Sequence, residues 1–309
     1  MIADTATSAH SAPPASPASA HAPAPRVVPA RYWGQWIAAV VLLVFVLGFV
    51  GLIASSKNVQ WSAIPRYLFD PTILDGIRLT LVFTVLSMLI STVAGVVLAT
   101  LRMAHNPVLS GFSHLYIWFF RGTPLLVQII FWFNIQLFIP SLGIGSFHVE
   151  TNTLISAFTA ALLALSLNEA AYMAEIVRGG LLAVDKGQAE AATALGYTPF
   201  QTLTRIVLPQ ALRVIVPPVG NQTISMLKTT SLVSVVAAQD LLTRVQNIYA
   251  TNFLIIELLL VASIWYLVMT TVASLLQSWL ERRLGQSVSE PPLVMRLMRN
   301  LMSAVGSKG

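Results

Sequence analysis

Five side chains able to grip a charged or hydrogen-bonding solute stand inside apolar stretches of this sequence: Gln128, Asn168, Glu169, Asn221 and Lys228. An ionisable group at membrane depth is costly and by default marks a functional site. Asn221 and Lys228 are seven residues apart, two helical turns, and so share one face. Glu169, with Asn168 beside it, suits an ammonium or a basic side chain, and Lys228 suits a carboxylate. Together they would serve a small solute that carries both charges. The competing reading has Glu169 and Lys228 pair with each other or with backbone to hold the helices, Lys228 being long enough to snorkel toward an interface. Glu175 and Arg178, spaced i to i+3, read as a structural pair at a helix end. Arg121 sits just before Pro124 and reads as a gate residue, a partner for Glu175 or a positive-inside anchor.

A second constellation has a different chemistry. Glu190-Ala191-Ala192 is followed after three residues by Gly196, and after nine more by Ile206-Val207-Leu208-Pro209. This polar and alanine-rich island separates two apolar stretches. Small side chains at Ala191, Ala192 and Ala194 allow close approach of a partner, Gly196 turns the chain back and Pro209 stiffens the return. Glu190 is expected near the start of a short helix, where a carboxylate favours the N-terminus or meets an arginine of a partner.

Other chemistries are excluded. There is no cysteine, so disulfides, thiolate metal sites and cysteine nucleophiles are absent. The five histidines are scattered without metal-ligand spacing, and the sequence has neither a GxxxxGK[ST] phosphate loop nor HExxH. The chain is therefore not read as an enzyme or as an ATP-binding protein.

The elements that must position these groups are membrane helices. Of 309 residues 56% are hydrophobic and only 10% charged, against about 25% charged in soluble proteins. Apolar segments are expected at about 36–54, 77–101, 125–139, 154–177, 212–237 and 253–280, the third shorter than the others and the rest near or above the length that crosses a bilayer as a helix. The first 35 residues, rich in Ala, Pro and Ser, read as a disordered tail followed by a retained anchor rather than a cleaved signal. Of the 18 Lys and Arg, 13 fall in the tails and connections that lie inside if both termini are cytoplasmic, 4 fall outside, and Lys228 lies within a segment. The asymmetry places both termini and the Glu190 island on the cytoplasmic side. The net charge of +6 is thereby topological and no nucleic-acid partner is implied. Ser91, Ala94, Gly95 and Ala99 form a small-residue face suited to close helix packing, expected at a subunit interface.

The Glu190 to Pro209 spacing resembles the EAA loop of ATP-binding-cassette (ABC) importer permeases. The runs 120–128 (FRGTPLLVQ), 166–180 (SLNEAAYMAEIVRGG), 210–220 (QALRVIVPPVG) and 228–234 (KTTSLVS) resemble the polar amino acid uptake branch, which includes histidine, glutamine and arginine permeases. Such members often carry an acidic residue where this chain has Thr229. The resemblance implies an all-α membrane protein: a type I importer core of five helices over 65–284, one extra N-terminal helix at 36–54, a coupling loop at 178–211 and a cytoplasmic tail at 285–309. It implies coupling through Glu190, Ala191, Ala192, Gly196, Ile206, Leu208 and Pro209 to two ATP-binding-cassette subunits, which hold ATP and Mg, so that this chain binds no cofactor. It also implies a second permease subunit, an extracytoplasmic solute-binding protein and a polar amino acid as substrate. A self-contained secondary transporter or channel is the competing class, but such a protein needs no docking loop.

Overall fold

The computed structural model describes residues 33–144 and 147–283. The expected C-terminal tail and nearly all of the N-terminal one lie outside the described residues. The chain divides after Lys57 into two compact units. The first contains α1 (Trp33–Ala54), 22 residues without a charge, enough to cross a bilayer at 1.5 Å per residue.

The second unit is helical apart from one hairpin. Its elements are α2 (Ala63–Leu68), α3 (Pro71–Arg102), α4 (Pro107–Gly122), α5 (Leu125–Phe133), β1 (Ser141–Ile144), β2 (Phe147–Glu150), α6 (Thr151–Leu154), α7 (Ala157–Leu182), α8 (Lys186–Ala194), α9 (Pro199–Gln201), α10 (Leu208–Thr229), α11 (Leu241–Asn252) and α12 (Ile255–Arg283). Strands β1 and β2 pair antiparallel with Ser141 opposite Glu150.

Helix starts follow local chemistry. Asp70 Oδ1 accepts from Thr72 N–H at 2.8 Å ahead of Pro71, and Asn106 Oδ1 accepts from Val108 N–H at 2.9 Å ahead of Pro107. Each cap satisfies a donor that the first turn leaves free, and proline at the first position costs nothing there.

Helices α3 and α7 form the spine. Gly95 faces Met173 and Ala174 so closely that a Cβ there would lie 2.4 Å from Met173 Cβ. Ser91 and Ala99 are fully buried on the same helix. At Gly95 the small-residue face is thus used within this chain, against α7. The core around the spine includes Phe83, Met88, Ile129, Leu165, Met173 and Met226. A second cluster joins Ile73 to Leu241, Val245, Leu258 and Val261 of α11 and α12.

Among the described residues α1, α3, α7 and α12 are each long and apolar enough to cross a membrane, and α4 with α5, bent by 101°, passes the same test together as a broken span or a re-entrant loop. The third apolar segment was expected to begin at Leu125; it begins at Pro107, because Ser110, Ser113 and His114 mask the apolar character of α4 in sequence. Helix α10 is 22 residues long but carries Arg213, Asn221, Gln222 and Lys228, besides Pro217 and Pro218. Helix α11, not expected at all, fills the link before α12. The chain enters it through Ala237 and Gln239, two non-glycine residues at φ 54° and 63°.

Candidate functional site

The bend between α4 and α5 follows from Pro124. A continuing helix would donate an N–H from that position to the Phe120 carbonyl, and proline has none. At membrane depth an orphaned carbonyl must find another donor. Asn168 Nδ2 donates to Phe120 O at 2.8 Å and Gln128 Nε2 donates to it at 3.1 Å. Gln128 Nε2 also meets Thr123 Oγ1 at 2.7 Å, and its Oε1 accepts from Asn168 at 3.3 Å. Two of the expected solute-binding amides are therefore engaged in pinning the break against α7.

Glu169 follows Asn168 and is the thirteenth of the 26 residues of α7, the middle of a span about 39 Å long. It is 7% exposed. Its Oε1 accepts from Gln222 Nε2 of α10 at 2.9 Å, and Oε2 has no hydrogen-bond partner among the described residues. Asn221, next to Gln222, is exposed, and its Oδ1 accepts from Gln277 Nε2 at 3.1 Å. Lys228 is exposed in the last turn of α10, six residues or about 9 Å along the axis from Gln222. Glu169 and Lys228 do not pair. The structure brings Gln128, Asn168 and Glu169 together with the break, places Asn221 against α12, and leaves Lys228 apart.

Arg121 was expected to belong to a gate, to pair with Glu175 or to serve as a positive-inside anchor, and of these the structure contradicts the pairing. Instead Glu175 pairs with Arg102 of α3 and with Arg178, whose Nη2 lies 3.0 Å from Glu175 Oε2. The i, i+3 pair is present, and Arg102, not Arg121, is its third member. Arg121 is exposed in the last turn of α4, and its guanidinium carbon stands 5.2 Å from the centre of the Tyr172 ring. Tyr172 is the sixteenth residue of α7, about one turn before Glu175, which pairs with Arg102 at the end of α3. Stacking on an aromatic ring is worth about 0.5–1 kcal/mol at an exposed site.

The Glu190 island folds as α8, a glycine turn and a return through α9. Asp185 caps α8, its Oδ1 accepting from Gly187 N–H at 2.7 Å. Glu190 is thus the fifth residue of the helix and not near its start as expected; Asp185 takes the N-terminal role. Ala192 is buried and seats the helix, while Glu190, Ala191 and Ala194 face outward. Gly196 ends the helix at φ +83°. Leu195 and Phe200, on either side of the turn, are 79% and 74% exposed. Thr198 and Gln201 form a capping box, and residues Thr202–Val207, including Ile206, form a π-helical stretch that runs into α10. Leu208 and Pro209 are the first two residues of α10. One continuous helical path therefore leads from the glycine turn to Gln222 and Glu169.

Sequence reasoning missed Gln222, although it adjoins Asn221 in the same apolar stretch. It also missed Asp240, fully buried at the head of α11. Asp240 Oδ1 accepts from Thr243 N–H at 3.0 Å and from Thr243 Oγ1 at 2.5 Å, and Tyr266 O–H donates to Oδ2 at 3.4 Å. The Asp-x-x-Thr spacing ahead of an amphipathic run was the available signal.

Comparison with known proteins gives consistent findings. Residues 91–286 match the family described as binding-protein-dependent transport system inner membrane component. The arginine transport system permease protein ArgU of Corynebacterium glutamicum is 40% identical over 281 residues, covering 90% of this chain and 89% of that protein. The glutamine transport system permease protein GlnP of Escherichia coli K12 is 34% identical, over 73% of this chain and 97% of that one. The crystal structure of an amino acid ABC transporter with histidines superposes with a TM-score of 0.64 at 34% identity, over 73% of this chain and 99% of the other. An inward-facing MetNI methionine ABC transporter, at 19% identity and a TM-score of 0.54, shares the fold.

Proposed function

Because the chain belongs to the family of binding-protein-dependent transport system inner membrane components, and is thus the non-catalytic, membrane-spanning permease subunit of an ABC importer, we propose that it carries polar amino acids through a site at Glu169. It is a multi-pass protein of the bacterial inner membrane and works with ATPase and permease partners. In our reading it has six spans with both termini cytoplasmic, and it pairs with a second permease, identical or related. Two ATP-binding subunits holding ATP and Mg dock at α8, and an extracytoplasmic binding protein delivers the solute. The extra helix α1 stands ahead of the five-helix core.

The observation that carries this reading is the path from the exposed Leu195, Gly196 and Phe200 turn through α10 to Gln222, which holds the mid-depth Glu169. A motor that shifts α8 acts on the helix that covers the buried carboxylate. Rigid-body rocking about a midplane site is the motion such an arrangement supports. Arginine and glutamine, named for two relatives, are the first substrates to test.

Replacing Glu190 by lysine reverses the charge on the exposed face of α8. The ATP-binding subunit recovered with the permease is expected to fall several-fold; normal stoichiometry with full substrate-stimulated ATP hydrolysis would count against docking there. The Glu169→Gln variant removes the negative charge but keeps an acceptor for Gln222. Uptake of L-arginine is expected to fall several-fold more than uptake of L-glutamine, and equal uptake of both at the wild-type rate would remove Glu169 from the site.

A further inference from the structure

Helices α10 and α12 meet along a short polar seam and leave a groove beside it. A Cβ at Gly220 would lie 2.7 Å from Gln277 Cδ, so it is the missing side chain that lets α12 approach. Gln277 Nε2 donates to Pro217 O at 3.1 Å, to Asn221 Oδ1 at 3.1 Å and to Glu281 Oε1 at 2.9 Å. These contacts set the middle of α10 against the last two turns of α12, and they engage the polar groups of the seam within the protein.

The groove has a volume of about 400 Å3. Val216, Val219 and Ile224 of α10 and Leu276, Trp279 and Leu280 of α12 form most of its wall. Its two side chains with polar atoms outside the indole are already engaged: Thr223 Oγ1 donates to Val219 O at 2.9 Å, and the Gln277 amide serves the seam. What the groove offers is contact for hydrocarbon.

Cations stand at one end of it. Trp279, part of the wall, carries the Arg283 guanidinium, whose central carbon is 4.8 Å from the ring centre. Arg213 precedes Val216 by three residues and Gly220 by seven, so it shares their face of α10, one turn nearer the end that adjoins the end of α12. Arg213 and Arg283 are exposed, and neither enters an ion pair among the described residues. Glu281, the acid of the last turn, is buried and faces Gln277 instead. Arg283 is the last of the 29 residues of α12, a helix about 43 Å long set against a hydrocarbon layer of about 30 Å. The cation therefore reaches headgroup level while the groove lies among the acyl chains.

We infer that the groove between α10 and α12 binds an anionic phospholipid, with an acyl chain along Val216, Leu276 and Leu280 and the phosphate held by Arg283 and Arg213. A guanidinium stacked on an indole keeps its edge donors for a phosphate oxygen pair, and basic pockets between membrane helices select anionic headgroups in this way. Charge bias between the two sides of a membrane accounts for arginines at the end of a span. It does not account for a two-helix apolar groove whose wall carries one of them on its tryptophan.

The test uses the permease assembled with its ATP-binding subunit, delipidated in detergent and then offered phosphatidylglycerol or phosphatidylcholine of the same acyl chains, with bound lipid read by native mass spectrometry. Wild type is expected to bind phosphatidylglycerol about tenfold more tightly, the scale of one charge-assisted pair. The double variant Arg213→Gln, Arg283→Gln is expected to lose that preference and to bind phosphatidylcholine as wild type does, which also shows that it is folded. Ala273→Phe fills the groove and is expected to weaken both lipids several-fold. Inorganic phosphate is expected to leave the lipid in place. A photoreactive side chain placed at Leu276 is expected to capture phospholipid in native membranes. The inference is overturned by a wild-type complex without the preference, by a double variant that keeps it, or by undiminished lipid binding in Ala273→Phe. Displacement of the lipid by inorganic phosphate would make the cations a free-anion site and overturn it too. Capture of a second permease subunit at Leu276 would give the groove to a protein interface, with the same consequence.

Discussion

Valine in place of Gly196 is expected to lower transport about five- to thirtyfold while the permease still inserts and folds. The expectation follows from backbone conformation alone. Gly196 has φ +83°, and a Cβ built there meets nothing within 4 Å, so no side-chain clash is involved. A left-handed conformation costs an ordinary L-residue about 1–2 kcal/mol, and a β-branched residue is a genuine outlier there. An energy of that size changes a population about five- to thirtyfold. The population at stake is the turn that holds Leu195 and Phe200 in their present relation to α8. Asparagine tolerates the left-handed region, so Gly196→Asn is expected to keep most of the activity. Uptake into vesicles with coupled ATP hydrolysis measures both. Equal activity of the valine and asparagine variants would show that the turn geometry does not matter to docking.

That turn also shows what the sequence discloses. Glycine six residues after Glu190, with Ile-x-Leu-Pro to follow, is readable because only glycine takes a positive φ freely. The long spans were readable for a related reason: a run of some 20 apolar residues has few alternatives to a membrane helix. The start of the third span was not. Serines and a histidine in α4 dilute its apolar character, although Ser113 is buried and donates to Leu98 O at 2.8 Å, as hydroxyls do in membrane helices. Glu169 was legible as a lone carboxylate at mid-depth. The role of Gln128 and Asn168 was not, since the orphaned carbonyl they satisfy is created by Pro124 and reached only when α4 packs on α7. Arg121 shows the same limit. Its place beside Tyr172 depends on how α4 packs on α7, which a linear pattern does not encode.

The packing of α3 on α7 determines the remaining and largest expected effect. Gly95→Val is expected to destabilise the folded permease by about 3 kcal/mol, the upper part of the usual range for overpacking, which shifts the folded population by about a hundredfold. The first added carbon alone would lie 2.4 Å from Met173 Cβ and 3.0 Å from the backbone nitrogen of Ala174. No rotamer relieves a contact between Cβ atoms and main chain, so the two helices must separate. Separation would also loosen what depends on their spacing: the Arg102 pair with Glu175, and further along α7 the hold of Asn168 on the Phe120 carbonyl. Gly111→Val makes the same change in α4, where nothing lies within 4 Å of the added carbon, and separates steric crowding from any general intolerance of valine. Thermal unfolding of the detergent-solubilised complex, followed by loss of the monodisperse species, is expected to show a large drop for Gly95→Val and little change for Gly111→Val. If both variants melt with the wild type, α3 and α7 are not packed as closely as the structure has them.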